Sequence, residues 1–555
     1  MSRGRASVFI QAQPLAGKLR TAEPILLDDD YVLEFIALAS HDKIQPPLVL
    51  KTYIEVDGRE ILLASNTAHA FDKSSIRNEE GIKILDEVVR VDLEAYRGKR
   101  VRFRWVLGDG SSRAEGAIGS IKLRASDSQA HSQPDVLLIC SDTHRYDFSV
   151  SGEGKTLMPR LQRLMNNSIV YHRAFSNATW TMPSITSTMT GLFPRYHRTG
   201  HVTESVDAKD FDANHIPQGQ FAFKTGETYR FMSAYSSQLR SLPETLRRFG
   251  YNTALIAANA LYVLSGLAYD GNDTFVDARS LNGQRINDVA RELIEHTPSA
   301  EPLFLTVHYI DVHNWQPWYF RKQHPNLKAG RKSREQVLES YGRAVEDSDH
   351  LLSSLLDTWA ANRDLDNTLI VFYSDHGEHL TDPKLGHGNS MHDVLLQVPL
   401  VVKLPRSISA VPTIVNYNVS LADIPPSVLD ILDIPYESES FSGRSVMKLD
   451  TDVDAESRSL FADYQLYGDS LSSVRRGPFK LIINFDKPKH ALRKFGSERL
   501  AATGDSLELK TKAELTRTFE DYRTQAEMAT EDLSPAGRID HKEAIDALRS
   551  LGYVK

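Results

Sequence analysis

Three stretches far apart in the chain carry residue types that could hold a cation and attack an ester. Asp142 follows directly on the apolar run Val136–Cys140. A carboxylate straight after a buried strand stands where open α/β sheets place their ligands, and it is equally suited to capping a following helix. Ser374-Asp375-His376-Gly377-Glu378 follows a second apolar run, Thr368–Tyr373. A carboxylate beside an imidazole suits Mn²⁺ or Zn²⁺ better than Ca²⁺ or Mg²⁺, and Gly377 lets the backbone come close; outside such a setting the dipeptide would be a turn. The third stretch, Thr179–Pro194, is rich in hydroxyls and has Pro183 in what would be a first turn, so a helix starts at Thr181 or just after it. A hydroxyl there faces the positive end of the helix, which suits either a nucleophile or an N-cap.

These residues need a rigid scaffold. Continuous apolar runs at Val136–Cys140, Thr253–Ala257, Leu303–Tyr309, Thr368–Tyr373 and Val398–Lys403 read as buried strands. Helical patterns lie between them at Leu157–Leu164, Ser241–Phe249, Asn287–His296 and Ser333–Trp359. Strands alternating with helices predict an α/β fold with its chemistry at the carboxyl ends of the strands. Before it, residues 25–126 read as β structure. Tyr31–Leu38, Val49–Val56 and the alternating Val101–Val106 are strand-like, Asp57-Gly58 is a hairpin signal, and Gly108-Asp109-Gly110 is a turn, together predicting a β-sandwich of jelly-roll type. The expected organisation is a tail at 1–24, the β domain at 25–126, a linker at 127–134, a catalytic α/β domain at 135–449 and a C-terminal subdomain at 450–555 with one strand near Phe479–Phe485 and a helical tail. The polar stretch from Gly200 to Ser241 reads as an insertion near the nucleophile helix.

Composition narrows the function. A chain of 555 residues suggests two to four compact units, and a net charge of −8 gives no global pull on nucleic acid. The single cysteine, Cys140, allows no internal disulfide and no cysteine-based zinc cluster, which fits a reducing compartment. The amino terminus is a poor signal peptide, and no apolar run approaches the roughly 18 residues of a membrane helix. A cytoplasmic protein without a membrane span is therefore expected. Arg321, Lys322, Lys328, Arg331, Lys332 and Arg334 form a basic cluster that could receive an anion or be a solvated helix face.

In this order, Asp142-Thr143-His144-Arg145, Trp180-Thr181-Met182-Pro183-Ser184 leading to Thr190-Gly191, and Ser374–Glu378 resemble the sulfatase family of the alkaline phosphatase superfamily. The resemblance extends to His308–His313, Gly386-His387-Gly388, Val398-Pro399-Leu400, Val419–Ile424, Val474-Arg475-Arg476 before Lys480–Ile482, and Leu548–Val554. It covers about residues 134–555. Val91-Asp92-Leu93 with Gly98–Phe103 resembles a carbohydrate-binding jelly roll. Sulfate-ester hydrolases of this family carry Cys or Ser at the position of Thr181, oxidised to formylglycine, and usually Arg at the position of Ile185. The β-methyl of threonine closes the route to an aldehyde, and Cys140 lies inside the first strand. Threonine nucleophiles belong to related phosphoethanolamine and phosphoglycerol transferases and nucleotide pyrophosphatases, which cleave phosphodiesters.

The resemblance implies one divalent ion held by Asp142, Asp375, His376 and Thr181, and the donor types put Mn²⁺ or Zn²⁺ ahead of Ca²⁺ or Mg²⁺. It gives Thr181 the nucleophile's role, with His313 and His387 as catalytic partners, and makes His313, His387, Asn259 and Arg145 substrate contacts. For Arg145 a salt bridge is the alternative. His308 and His392 read as buried structural histidines, and a second ion stays open at Asp311, His313 and His392. The implied function is metal-dependent hydrolysis of phosphate (di)ester, phosphonate or sulfate ester bonds in a small molecule, glycan or lipid headgroup. Two alternatives remain: a phosphoethanolamine- or phosphoglycerol-type transferase acting on a glycan, and a non-catalytic glycan-binding protein. Oligomeric state has no signature in the sequence.

Overall fold

The computed structural model describes residues 8–9, 12–15, 18–21, 24–27, 31–40, 48–68, 70–71, 88–107, 116–125 and 133–533, the last without 153–155, 213–215, 218, 226, 237, 280, 298–300, 322–332, 382–384, 409–411, 449–456, 488–489, 497–505 and 532. Most of the expected linker, the turn at 108–110, the motif at 548–554 and Lys322, Lys328, Arg331 and Lys332 lie outside the described residues. The chain forms two compact units, Met1–Ser132 with Leu246–Asn252 and Thr297–Pro302, and the remainder.

The first unit contains two sheets. One runs Val8–Phe9, Gly116–Ala125, Tyr31–Ser40, Ala70–Phe71, with Val88–Asp92 also paired to Tyr31–Ser40. The other runs Ala12–Leu15, Lys18–Thr21, Arg100–Leu107, Leu48–Val56, Arg59–Ala68, with Ile25–Leu26 on Arg100–Leu107. Leu33 of the first sheet and Ile54, Val56, Val101, Phe103 and Trp105 of the second share one buried cluster. The alternation in the sequence is the cause: Val101, Phe103 and Trp105 point inward while Arg104 turns out to pair with Glu60. Asp57 and Gly58 have φ of 51° and 74°, the paired positive values that a two-residue turn needs to match the strands' twist. The expectation of a tail at 1–24 is corrected, since Val8–Phe9, Ala12–Leu15 and Lys18–Thr21 are strands. Strands of two to four residues are too short to show a period.

The second unit is built on an eight-stranded mixed sheet in the order Thr274–Asp277, Asn252–Ala257, Leu303–Tyr309, Asp135–Ser141, Thr368–Tyr373, Leu400–Lys403, Ile169–Tyr171, Thr413–Val415. Leu303–Tyr309, Asp135–Ser141 and Thr368–Tyr373 are buried throughout, as parallel strands covered on both faces must be. Their register places Cys140 beside both His308 and Tyr373. Asp142 and Asp375 lie two residues beyond Cys140 and Tyr373, at the carboxyl ends of the central strands. The expected helices form at Pro159–Met165, Leu242–Arg248, Gly283–His296 and Arg334–Asn362, the last opened by a capping box of Ser333 and Gln336. The stretch read as an insertion contains a three-stranded sheet of Val202–Asp207, Gln220–Thr225 and Thr228–Ser233. Near the carboxyl end the single expected strand is one of four, Ser459–Ala462, Leu471–Arg476, Phe479–Asn484 and Ala491–Lys494. Leu515, Phe519 and Tyr522 of the helix Ser506–Ala529 pack into the same cluster as Leu460, Val474 and Leu481 of these strands.

Candidate active site

Thr181 opens the helix Thr181–Thr190, in which every residue is buried. Trp180 precedes it in extended conformation, and no side chain caps the end. Thr181 is therefore the first helical residue rather than the cap, which leaves Oγ1 to other partners. It lies 3.3 Å from His376 Nε2 and accepts from Asn259 Nδ2 at 3.3 Å. Ser184, one turn on, donates to the backbone carbonyl of Asp375 at 2.6 Å and ties the helix to the loop of Asp375 and His376.

Oxygen atoms of Asp142 and Asp375 and a ring nitrogen of His376 lie within 4.8 Å of one another, all fully buried. His376 Nε2 is 3.7 Å from Asp142 Oδ1 and 3.4 Å from Asp375 Oδ2. Its Nδ1 lies 2.9 Å from the Gly377 carbonyl and donates there, so the Nε2 lone pair faces the carboxylates. Asp142 Oδ2 accepts from Asn259 Nδ2 at 2.8 Å, and Asp375 Oδ1 accepts from the N–H groups of His376 and Thr143. The remaining oxygens, Asp142 Oδ1 and Asp375 Oδ2, are buried without any hydrogen-bond partner. Burial first, and then the charge of Asp375, pushes the Asp142 carboxyl well above its ordinary value. Burial also raises Asp375, against the opposing pull of His308 and of its hydrogen bonds. Burial lowers His376 to about 3, so its ring is neutral. Orphaned buried acceptors cost roughly 1–3 kcal/mol each. Two such oxygens with an imidazole nitrogen and a hydroxyl form a donor set that fits a divalent cation of borderline hardness.

Beside this group stand Glu378, His387 and His313. His387 Nδ1 lies 2.7 Å from Glu378 Oε2, and the His387 ring is 4.7 Å from that of His376 and 5.2 Å from that of His313 between centroids. Burial pulls His387 down, but the Glu378 carboxylate more than offsets this, leaving it raised. Glu378 shows the converse: burial raises it and the neighbouring imidazoles bring it below its ordinary value. His313 is lowered to about 4 by burial and by His387, and its Nε2 is buried without a partner.

The fold thus gathers Asp142, Thr181, Asp375, His376 and Asn259 into one group, with His313 and His387 alongside. Asn259, expected to meet substrate, donates to Asp142 and Thr181. Arg145 takes the salt-bridge alternative: its guanidinium forks onto Asp147 at 2.8 and 2.6 Å, and reaches the Glu378 carbonyl at 3.4 Å. The sequence leaves a second ion open at Asp311, His313 and His392. Among the described residues these three do not converge on one point: Asp311 Oδ1 accepts from the Gly283 N–H, and His392 lies against His379. His308, read as a structural histidine, stands with Nε2 3.6 Å from Asp142 Oδ2. Its place opposite Cys140 in the sheet becomes visible only once the register is known.

Residues 134–434 match the sulfatase family model. Among curated relatives, an extracellular sulfatase SULF-1 homolog of Drosophila melanogaster is 24% identical, over 59% of this chain and 32% of that protein. N-sulphoglucosamine sulphohydrolase of Homo sapiens is 22% identical over 57% of this chain and 64% of that protein. The chain thus spans less than two thirds of the length of either. Among solved structures, a phosphonate monoester hydrolase from Silicibacter pomeroyi superposes with a TM-score of 0.52 at 16% identity, over 71% of this chain and 96% of that one. A 2-O GAG sulfatase superposes with a TM-score of 0.56 at 12% identity, over 73% and 95%. These two share the α/β fold. Among the described residues no helix is long and apolar enough to cross a membrane. More than half of the chain matches the family model, on the stretch that carries Asp142, Thr181, Asp375 and His376, and the chain belongs to the sulfatase family.

Proposed function

We propose that the chain is a metal-dependent hydrolase of phosphodiester or phosphonate ester bonds, with sulfate esters as the lesser alternative, and that Thr181 is its nucleophile. The observation that carries this reading is the position of Thr181 Oγ1, 3.3 Å from His376 Nε2 and at a helix amino terminus, among carboxylate oxygens that have no other partner. A divalent ion bound by Asp142, Asp375 and His376, Mn²⁺ or Zn²⁺ by their donor chemistry, would supply the charge that lowers the hydroxyl's pKa and offsets negative charge on the transferred group. Asn259 holds Oγ1 in line by donating to it. The amino terminus of the helix that Thr181 opens would favour the negative charge of the transferred group. Thr181 attacks after its hydroxyl proton has passed to solvent, and His387, whose protonated form Glu378 favours, donates a proton to the leaving alcohol as its bond to phosphorus breaks and the bond to Thr181 forms. Water then attacks phosphorus, returns a proton to His387 and frees the threonine. His313 lies beside His387, where it can hold a non-bridging oxygen.

Phosphorus is preferred over sulfur because a formylglycine hydrate has a second hydroxyl with which to expel bound sulfate, and threonine has none. The two sheets and shared core of the first unit support its reading as a β-sandwich, which a glycan array on the full chain would probe for carbohydrate recognition. The hydrolase reading is tested with nitrophenyl phosphodiester, phenylphosphonate and sulfate esters. Cleavage of the phosphorus esters that is lost in Thr181→Ala is expected. Activity retained in Thr181→Ala overturns the nucleophile, and cleavage of the sulfate ester alone overturns the preference for phosphorus. Product formation only with an added glycan acceptor would move the chain to the transferases. Glycan binding with no turnover of any ester would make it a binding protein.

A further inference from the structure

One row deeper in the same sheet lies a second group of ligating side chains that the proposed hydrolysis does not use. Cys140 and His308 are paired neighbours on adjacent parallel strands, and Tyr373 flanks Cys140 on the other side. Ligand atoms of Cys140, His308 and Asp375 all lie within 4.8 Å of one another, and all three residues are fully buried. Neither ring nitrogen of His308 has a hydrogen-bond partner, although Nε2 is only 3.6 Å from Asp142 Oδ2. The Tyr262 ring packs edge-on against the imidazole at 5.2 Å between centroids, which keeps it facing the carboxylates. Buried polar groups in folded proteins find partners, so an imidazole with two unfilled nitrogens, grouped with Asp375 whose Oδ2 is also unfilled, points to a missing ligand.

We propose that Cys140, His308 and Asp375 form a second cation site, selective for a thiophilic divalent ion such as Zn²⁺, with Asp375 common to this site and to that of Asp142 and His376. Sulfur, nitrogen and oxygen donors in one group are the set that Zn²⁺ takes, whereas the oxygen-rich first group accommodates harder ions. On binding, the Cys140 thiol gives up its proton and the sulfur–metal bond forms. The site adds an ion to the hydrolase reading and does not depend on Thr181 being the nucleophile.

Cys140 is the chain's single cysteine, so any thiolate–metal signal arises from it alone. The full-length protein is stripped with a chelator and titrated with Co²⁺, while near-ultraviolet absorption and metal content per chain are followed. Two equivalents of Co²⁺ are expected, with a thiolate-to-cobalt charge-transfer band accompanying one of them. Cys140→Ser should lose the band and one equivalent, and Thr181→Ala should keep the band. If Cys140→Ser does not fold, the wild-type titration decides by itself. One equivalent without the band overturns the second site and leaves the metal-dependent hydrolase intact. One equivalent with the band also overturns the two-site arrangement, because a single ion would then take ligands from both groups. No bound cobalt overturns both readings.

Discussion

Replacing Asp142 with asparagine separates the stability of the fold from that of the cation site, because the two should respond with opposite sign. Asp142 is fully buried, Oδ2 accepts from Asn259, and Oδ1 has no partner while lying 3.7 Å from His376 Nε2. In Asp142→Asn the amide oxygen can keep the Asn259 bond, and the new NH₂ group faces the imidazole lone pair. A buried charge disappears and one hydrogen bond worth about 1 kcal/mol is gained. With chelator present the variant should unfold at or above the wild-type temperature. With Mn²⁺ at a hundredfold excess over Kd the wild type should gain about 2.7 kcal/mol, and a variant lacking an anionic ligand should gain almost none of it. The metal-free comparison should also depend on pH. A carboxyl raised above its ordinary 3.8 contributes stability below the unfolded-state pKa, and this is lost as pH rises through the folded-state value. The advantage of the variant in chelator should accordingly grow as pH rises from about 4. Thermal unfolding with chelator and with Mn²⁺, across that range, measures all three. Equal stabilisation of both proteins by Mn²⁺, or a variant weaker than wild type in chelator at neutral pH, would refute the reasoning.

Two further perturbations probe the surroundings of the site. A Cβ on Gly377 would come within 2.0 Å of the Val394 carbonyl oxygen, so Gly377→Ala must displace the loop carrying Asp375 and His376; metal affinity should fall on the order of 10-fold, and an unchanged metal titration would contradict that placement. His387 is raised because Glu378 outweighs burial, so activity that needs its imidazolium should fall as pH rises through its pKa. Glu378→Gln leaves burial opposed by Asp375 alone among the carboxylates that raise His387 and should move that fall to lower pH, whereas an unmoved alkaline limb would remove His387 from the role of proton donor.

The sequence was most legible where burial is complete. Leu303–Tyr309 and Thr368–Tyr373 match their apolar runs residue for residue, since a strand covered on both faces cannot alternate. Pro183 set the start of the helix at Thr181 in the same way. The carboxyl-terminal sheet was mostly hidden because its strands bury polar residues. Ser472, Ser473, Arg475 and Lys480 all lie inside, the two cations paired with Asp393 some eighty residues earlier, and such a pairing leaves no local pattern. Around the site, chain order and motif identified Asp142, Thr181, Asp375 and His376, but the roles of neighbours depended on distance. Asn259 reaches Thr181 Oγ1, Arg145 is held by Asp147, and His308 faces Asp142 through strand register.

The proposed reaction requires Thr181 to form a covalent bond to the transferred group. Acid-quenching the full-length, Mn²⁺-loaded protein during turnover of a phosphodiester, followed by peptide mass spectrometry, reads that bond directly. One phosphoryl adduct on Thr181, absent from Thr181→Ala, is the predicted result. Steady turnover with Thr181 unmodified, and undiminished in Thr181→Ala, would contradict it.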